Sequence, residues 1–168
     1  MAHDRPVSEA LERLLLEAST IAVVGASSNP DRPSHGVFQR LLAAGYRVIP
    51  VNPNETEVLG QKAYASLGDV PEPIDIVDVF RRPEYTPAIA DEAARVGAKA
   101  LWLQLGISSD EAARRAESLG LKVVMDNCLG VTLSVLGIPA KRRQLRAHEP
   151  SRQGVESGIL GRPPSHSQ

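Results

Sequence analysis

Five short apolar runs, four of them rich in β-branched residues, leave this chain few ways to fold. Ile21-Ala22-Val23-Val24-Gly25 reads as a buried strand ending at a glycine. Arg47-Val48-Ile49-Pro50-Val51 is the second run, closed by Asn52-Pro53-Asn54. Ile74-Asp75-Ile76-Val77-Asp78-Val79-Phe80 mixes apolar and acidic residues, as a strand with one less buried face would. Ala100-Leu101-Trp102-Leu103-Gln104 and Leu121-Lys122-Val123-Val124-Met125 complete the set. Between them lie helix-period stripes. Val7, Leu11, Leu14 and Leu15 precede the first strand, and Val37, Phe38, Leu41 and Leu42 follow it, with Gly45 as a stop. Further helices are expected from about Glu84 to Val96 and from about Ser109 to Leu119. The stretch from Glu55 to Val70 is irregular, with a helical turn expected near Ala65 to Gly68. Strand and helix alternating in this way imply an α/β fold: a Rossmann-like doubly wound, mostly parallel five-stranded sheet with helices on both faces. Ligands of such sheets sit at the carboxyl ends of the strands, and the glycine- and proline-rich loops all follow strands.

A length of 168 residues suits one domain, expected to span 1–140, with 141–168 as a basic, then polar tail. The run Lys141-Arg142-Arg143-Gln144-Leu145-Arg146 is read as solvated surface, and the Ser-, Gly- and Pro-rich remainder as disordered. A net charge of −1 gives no reason to expect nucleic acid or an anionic membrane as partner. No apolar run approaches the roughly 20 residues that a membrane helix needs. The start, Met1-Ala2-His3-Asp4-Arg5-Pro6, lacks a signal core, and a single cysteine suits a reducing compartment. A cytoplasmic protein is expected.

The loop after the first strand, Gly25-Ala26-Ser27-Ser28-Asn29-Pro30-Asp31-Arg32-Pro33-Ser34, has the chemistry of a phosphate site. Gly25 admits close approach, Ala26, Ser27 and Ser28 are small, and the serine hydroxyls can donate. Ser34 is placed to cap the next helix, whose free amides attract anions, and Arg32 adds a guanidinium. The dinucleotide fingerprint is incomplete: Gly25 is the only glycine before Gly36, and Asn52 stands where a ribose-binding carboxylate belongs. An NAD(P)-dependent oxidoreductase is therefore the weaker alternative. No Gly-x-x-x-x-Gly-Lys-Ser/Thr segment occurs. The second strand exits through Val51, Asn52 and Pro53, a rigid wall for a purine or ribose. The third exits through Phe80, Arg81 and Arg82, where two arginines before a helix start favour an anionic partner.

In order, Val24-Gly25-Ala26-Ser27, Arg32-Pro33-Ser34 and Gly45-Tyr46-Arg47-Val48-Ile49-Pro50-Val51-Asn52-Pro53 resemble the stand-alone CoA-binding protein family, related to the CoA-binding domain of succinyl-CoA synthetase. Val77-Asp78-Val79-Phe80-Arg81-Arg82-Pro83, Trp102-Leu103-Gln104-Leu105-Gly106 and Val124-Met125-Asp126-Asn127-Cys128 extend the resemblance across roughly Leu11 to Gly137. It implies coenzyme A or acyl-CoA as ligand. The pyrophosphate would lie at Gly25, Ala26, Ser27, Ser28 and Arg32, with the adenosine beside Val51, Asn52, Pro53, Phe80, Arg81 and Arg82. One departure is Asn127-Cys128-Leu129-Gly130, where family members commonly carry Met-Asp-Arg-Cys and a more polar stretch. That segment is similar to one in larger nucleoside-diphosphate-forming acyl-CoA synthetases.

Cys128 follows the last strand and is expected at the ligand edge, where its thiol can form a mixed disulfide with CoA by thiol–disulfide exchange; a buried structural cysteine is the alternative. His35 is the one histidine away from the terminal segments, and it suits ligand phosphates or solvent better than a phosphocarrier role. Asp75 and Asp78 fall on opposite faces of a regular strand and make no acid/base pair. Neither a catalytic constellation nor a metal site is expected. The expectation is a binding module, or a CoA-binding subunit of an acyl-CoA synthetase whose catalytic chain is separate.

Overall fold

A computed structural model of the chain describes residues 5–141. All five expected strands and four expected helices form, with a hairpin and a further helix besides: α1 (Arg5–Glu17), β1 (Thr20–Val24), α2 (Pro33–Ala43), β2 (Arg47–Val51), β3 (Glu57–Val58), β4 (Gln61–Lys62), β5 (Ile76–Val79), α3 (Thr86–Arg95), β6 (Ala100–Leu103), α4 (Asp110–Ser118), β7 (Lys122–Val124) and α5 (Leu129–Val135). Five strands pair in parallel in the order β2-β1-β5-β6-β7. The chain therefore reverses its direction of winding between β1 and β5, and the loops leaving those strands part to open a crevice.

Side-chain alternation sends successive residues to opposite faces. Ile21, Val23, Ile76 and Trp102 meet α1, α2 and α5, in a core holding Leu15, Phe38, Leu41 and Leu129. Ala22, Val24, Val77, Leu101 and Leu103 meet α3 and α4 through Ile89, Ala90, Ala93, Ala112 and Ala116. With helices on both sides, β5 is buried along its whole length. The expectation of one less buried face is corrected, and its two acidic residues find different solutions. Asp75, just before the strand, accepts from the amides of Ser19 (2.8 Å) and Thr20 (3.0 Å). Asp78 lies wholly inside.

Two elements were not anticipated. β3 and β4 form a small antiparallel hairpin whose turn residues, Leu59 and Gly60, both have positive φ (48° and 79°). α5 follows β7 and buries Leu129 and Leu133 against α2. The helix expected from Glu84 opens with a 3-10 turn, Pro83–Tyr85, before α3, and the turn near residue 67 is 3-10 as well.

Residues 142–168, where the tail was expected, lie outside the described residues. Lys141, expected to open a solvated run, is instead half-buried. Its ammonium donates to the carbonyls of Leu16 (2.7 Å) and Ala18 and lies 4.9 Å over the Tyr46 ring. The Tyr46 hydroxyl donates to Leu15 O at 2.6 Å, and burial pushes that phenol up to about 12. Three carbonyls around the end of α1 are thereby satisfied, as a helix C-terminus requires. Replacing Lys141 by alanine should lower stability by about 1–3 kcal/mol, the cost of leaving such acceptors unpaired. A urea midpoint equal to that of the parent would refute this.

Candidate functional site

The strand ends surround a cleft of about 720 Å³, formed by the loops after β1, β2, β5 and β6 and by Cys128 beyond β7. Gly25 lies at its base with φ +87°. Its amide donates to Val51 O (2.9 Å), and the Phe80 amide donates to Val24 O (2.8 Å), so β1 is held on both sides to its last residue. A Cβ on Gly25 would come within 3.0 Å of the Phe80 carbonyl oxygen. The missing side chain therefore lets two strand exits meet at the crevice.

The first loop is stiffened from within. Ser27 Oγ accepts from the Asn29 amide (3.1 Å), Asn29 Oδ1 accepts from the Asp31 amide (3.0 Å), and Asn52 Nδ2 donates to Ala26 O (2.9 Å). Asn52 Oδ1 accepts from the Asn54 amide, so both ends of the Asn52 side chain brace the wall. Arg32, Pro33, Ser34 and Val37 bring the first turn of α2 to the cleft. Ser34 is not the cap: Pro33 occupies the first helical position, Arg32 stands at the cap, and no side chain caps the helix. Proline has a pre-set φ and no amide to satisfy, so the helix begins two residues earlier than serine capping would place it. Ser34 is left inside the first turn, almost fully buried beside the cleft.

The expected residues separate clearly. Gly25, Ser27, Arg32, Ser34, Asn52, Phe80, Arg81 and Cys128 line the cleft. Ala26 and Val51 are buried behind it. Ser28 turns aside, its amide (3.0 Å) and hydroxyl (3.1 Å) both donating to Glu55 Oε1. Pro53 and Arg82 are exposed and outside the lining, as is half-buried His35. Among the described residues neither Arg32 nor Arg81 is in an ion pair; Arg81 lies 4.5 Å from the Tyr85 ring centroid. Two uncompensated guanidiniums beside a helix N-terminus make an anion-attracting wall.

Sequence reasoning passed over Asn54, Gln104, Leu105 and Ile107, all in the lining. Gln104, Leu105 and Ile107 follow β6 at the same sheet edge, which was the available signal. Asp126, at φ 51°, accepts from the Gly106 amide (2.7 Å) and donates its own to Ile107 O (3.1 Å). Trp102 Nε1 donates to Asn127 O (2.9 Å). These bonds tie the loops after β6 and β7 together and set the half-buried Cys128 against the cleft. No cluster of three metal-ligating side chains occurs among the described residues. Nor is any of their helices long and apolar enough to cross a membrane.

A family model described as a CoA binding domain matches residues 19–134, which hold the whole sheet and every residue of the cleft. The chain belongs to the CoA binding domain family. Its relatives include the uncharacterized protein YneT of Bacillus subtilis, 42% identical over 77% of this chain and 96% of that protein. Another is the alpha subunit of the ADP-forming acetate–CoA ligase II of Pyrococcus furiosus, 30% identical over 66% of this chain. The chain spans 27% of that subunit's length. Among solved structures, a hypothetical protein from Pyrococcus horikoshii superposes with a TM-score of 0.75 at 38% identity, covering 77% of this chain and 91% of that one. A dinucleotide-forming acetyl-coenzyme A synthetase of Ca. Korarchaeum cryptofilum, solved with phosphate and ADP, gives 0.61 at 31% identity, covering 69% of this chain and 27% of that one. The CoA-binding domain described here is thus related both to small proteins of similar length and to one part of larger acyl-CoA synthetases.

Proposed function

We propose that the protein binds coenzyme A or an acyl-CoA in this cleft without catalysing a reaction of its own. The observation that carries the reading is the meeting of the α2 N-terminus with two arginines, Arg32 and Arg81, that form no ion pair among the described residues, at the point where the winding reverses. The pyrophosphate lies along Gly25, Ala26, Ser27 and Arg32, with Ser34 beneath it. Ser28 joins it only by leaving Glu55. Asn52 and Phe80 border the adenosine, backed by Val51, with Arg81 toward its phosphate and Pro53 and Arg82 exposed outside the lining. Asn52, whose amide is spent within the protein, is a poor substitute for the carboxylate that an NAD ribose needs.

The thiol end of the ligand reaches Cys128. When the ligand arrives as a CoA disulfide, the Cys128 thiolate attacks its CoA sulfur. A Cys128–CoA disulfide forms, and the other thiolate leaves and takes up a proton. Cytoplasmic residence, with its low-molecular-weight thiols, makes this bond reversible. A second reading, favoured by the ligase relatives, is a CoA-binding subunit that acts with a separate catalytic chain.

Native mass spectrometry of the purified protein, with and without reductant, tests the ligand first. Added mass equal to CoA supports the reading, and loss of that mass on reduction, absent altogether in Cys128→Ser, supports the disulfide. Calorimetric titration should give binding of CoA but not NAD. Arg32→Ala and Arg81→Ala should each weaken CoA by about tenfold, the low end for a charge-assisted hydrogen bond at an open site. Binding of NAD in preference to CoA would overturn the proposal.

A further inference from the structure

Beneath the cleft floor lies an acid that the binding reading does not use. Asp78 sits on β5 in register with Val23 and Trp102, on the side of the sheet covered by α1, α2 and α5. It is 0% exposed, and its Oδ2 is the one buried side-chain oxygen or nitrogen without a hydrogen-bond partner among the described residues. Its Oδ1 accepts from Gln104 Nε2 at 2.6 Å. Gln104, 3% exposed, lines the cleft. One end of its amide is therefore held by Asp78, and the other is left to the ligand.

An ionised carboxylate can only accept, so Gln104 must turn its NH₂ group inward and its carbonyl oxygen toward the cleft. A neutral carboxyl can donate, which allows the amide to rotate half a turn, accept through Oε1 and face the cleft with its NH₂. We propose that Asp78 is a positioning residue whose protonation state selects which end of the Gln104 amide meets the bound ligand. The cleft floor offers an acceptor above the transition and a donor below it.

Burial pushes the Asp78 carboxyl up to about 7, opposed by the bond from Gln104, so both forms exist near neutral pH. Among the described residues one half-buried ammonium reaches this side of the sheet, that of Lys141. It is held by the carbonyls of Leu16 and Ala18 before the first residue of β1, whereas Asp78 lies beside Val23 near its last. On this face α1 carries Glu9, Glu12, Arg13 and Glu17, all exposed, and α2 carries half-buried His35 and exposed Arg40. α5 carries no charged residue. Cys128 and Asp126 precede it, the latter exposed and engaged with the Gly106 amide. Arg32 and Arg81 stand at the rim. Arg47 of β2 and Lys122 of β7 are exposed, and the neighbouring strands β1 and β6 contain no titratable side chain.

The effect on the ligand rests on the CoA reading, whereas the switch itself is measured without any ligand. In the unliganded protein, the side-chain ¹⁵N–¹H signals of Gln104, identified by their loss in Gln104→Leu, should titrate near neutral pH. Their midpoint should equal that of the Asp78 carboxyl carbon, and in Asp78→Asn they should not move. Unequal midpoints, or signals that stay still in the parent, would overturn the proposal even if Asp78→Asn did not fold. For CoA itself, whose pantetheine amides can donate to Gln104 Oε1, binding should be roughly three- to tenfold tighter at pH 8.5 than at pH 6, beyond any change seen in Asp78→Asn, the range that one hydrogen bond spans. Titration of the phosphates of CoA is common to both proteins and cancels. An equal pH dependence in the two proteins, or an opposite slope, would overturn the assigned acceptor. If no CoA binds at any pH, the ligand reading fails and the resonance titration still decides the switch.

Discussion

Gly25→Ala is expected to lower stability by about 2–4 kcal/mol and to weaken the proposed CoA binding by at least about tenfold. Part of the loss is conformational: at φ +87° a residue with a Cβ is strained by roughly 1–2 kcal/mol. The rest is contact. The new methyl would meet the Phe80 carbonyl oxygen at 3.0 Å and its carbon at 3.2 Å, backbone atoms fixed by the bond from the Phe80 amide to Val24 O. Overpacking of this kind costs typically 1–3 kcal/mol. Relief comes only by parting β1 from β5 at their exits, which moves the loops bearing Ser27, Arg32 and Arg81 together. Urea unfolding and calorimetry on the same preparation check both halves. An alanine variant as stable as the parent, with unchanged affinity, would show that the two exits do not need this close approach.

Asp78→Asn should have the other large effect, on the pH dependence of stability. In the unfolded chain the carboxyl titrates near its ordinary 3.8, and in the fold near 7. Between those values the folded protein holds a proton that the unfolded chain has lost, so stability falls as pH rises through that window and levels off above it. About 1.4 kcal/mol for each pH unit sets a ceiling of roughly 4 kcal/mol. The asparagine variant lacks this titration. It should match the parent below about pH 4 and be more stable by about 2–4 kcal/mol at pH 8, where the parent must bury a charge with an unpartnered oxygen. Denaturant midpoints for both proteins across pH 4–8 read the difference directly, and parallel curves would refute it.

Much of this was legible in the chain because it rests on local rules. The β-branched runs at Ile21, Val48 and Ile76 and the glycine stops at Gly45 and Gly97 act within a few residues, so strand and helix places could be read in order. Strands followed by loops at one edge also placed Gly25, Asn52, Phe80, Arg81 and Cys128 around a common cleft. α5 was invisible because Leu129-Gly130-Val131-Thr132 has weak helix propensity, and burial of Leu129 and Leu133 is what selects the helix. The hairpin at Leu59-Gly60 escaped because leucine seldom takes positive φ. Ser28 and Asn52 looked free to meet a ligand, yet Glu55, Ala26 and Asn54 had already claimed their polar groups.

The sequence by itself determined the α/β alternation, the edge of the sheet that carries the cleft loops, and the family to which the chain belongs, since each is written in periodicity or in contiguous motifs. Only the tertiary structure decided the strand order that opens the crevice at β1 and β5, the turn of Ser28 toward Glu55, and the pairing of Asp78 with Gln104. Those depend on residues far apart in the chain competing for the same space and the same hydrogen bonds. Local propensity carries no record of which partner wins.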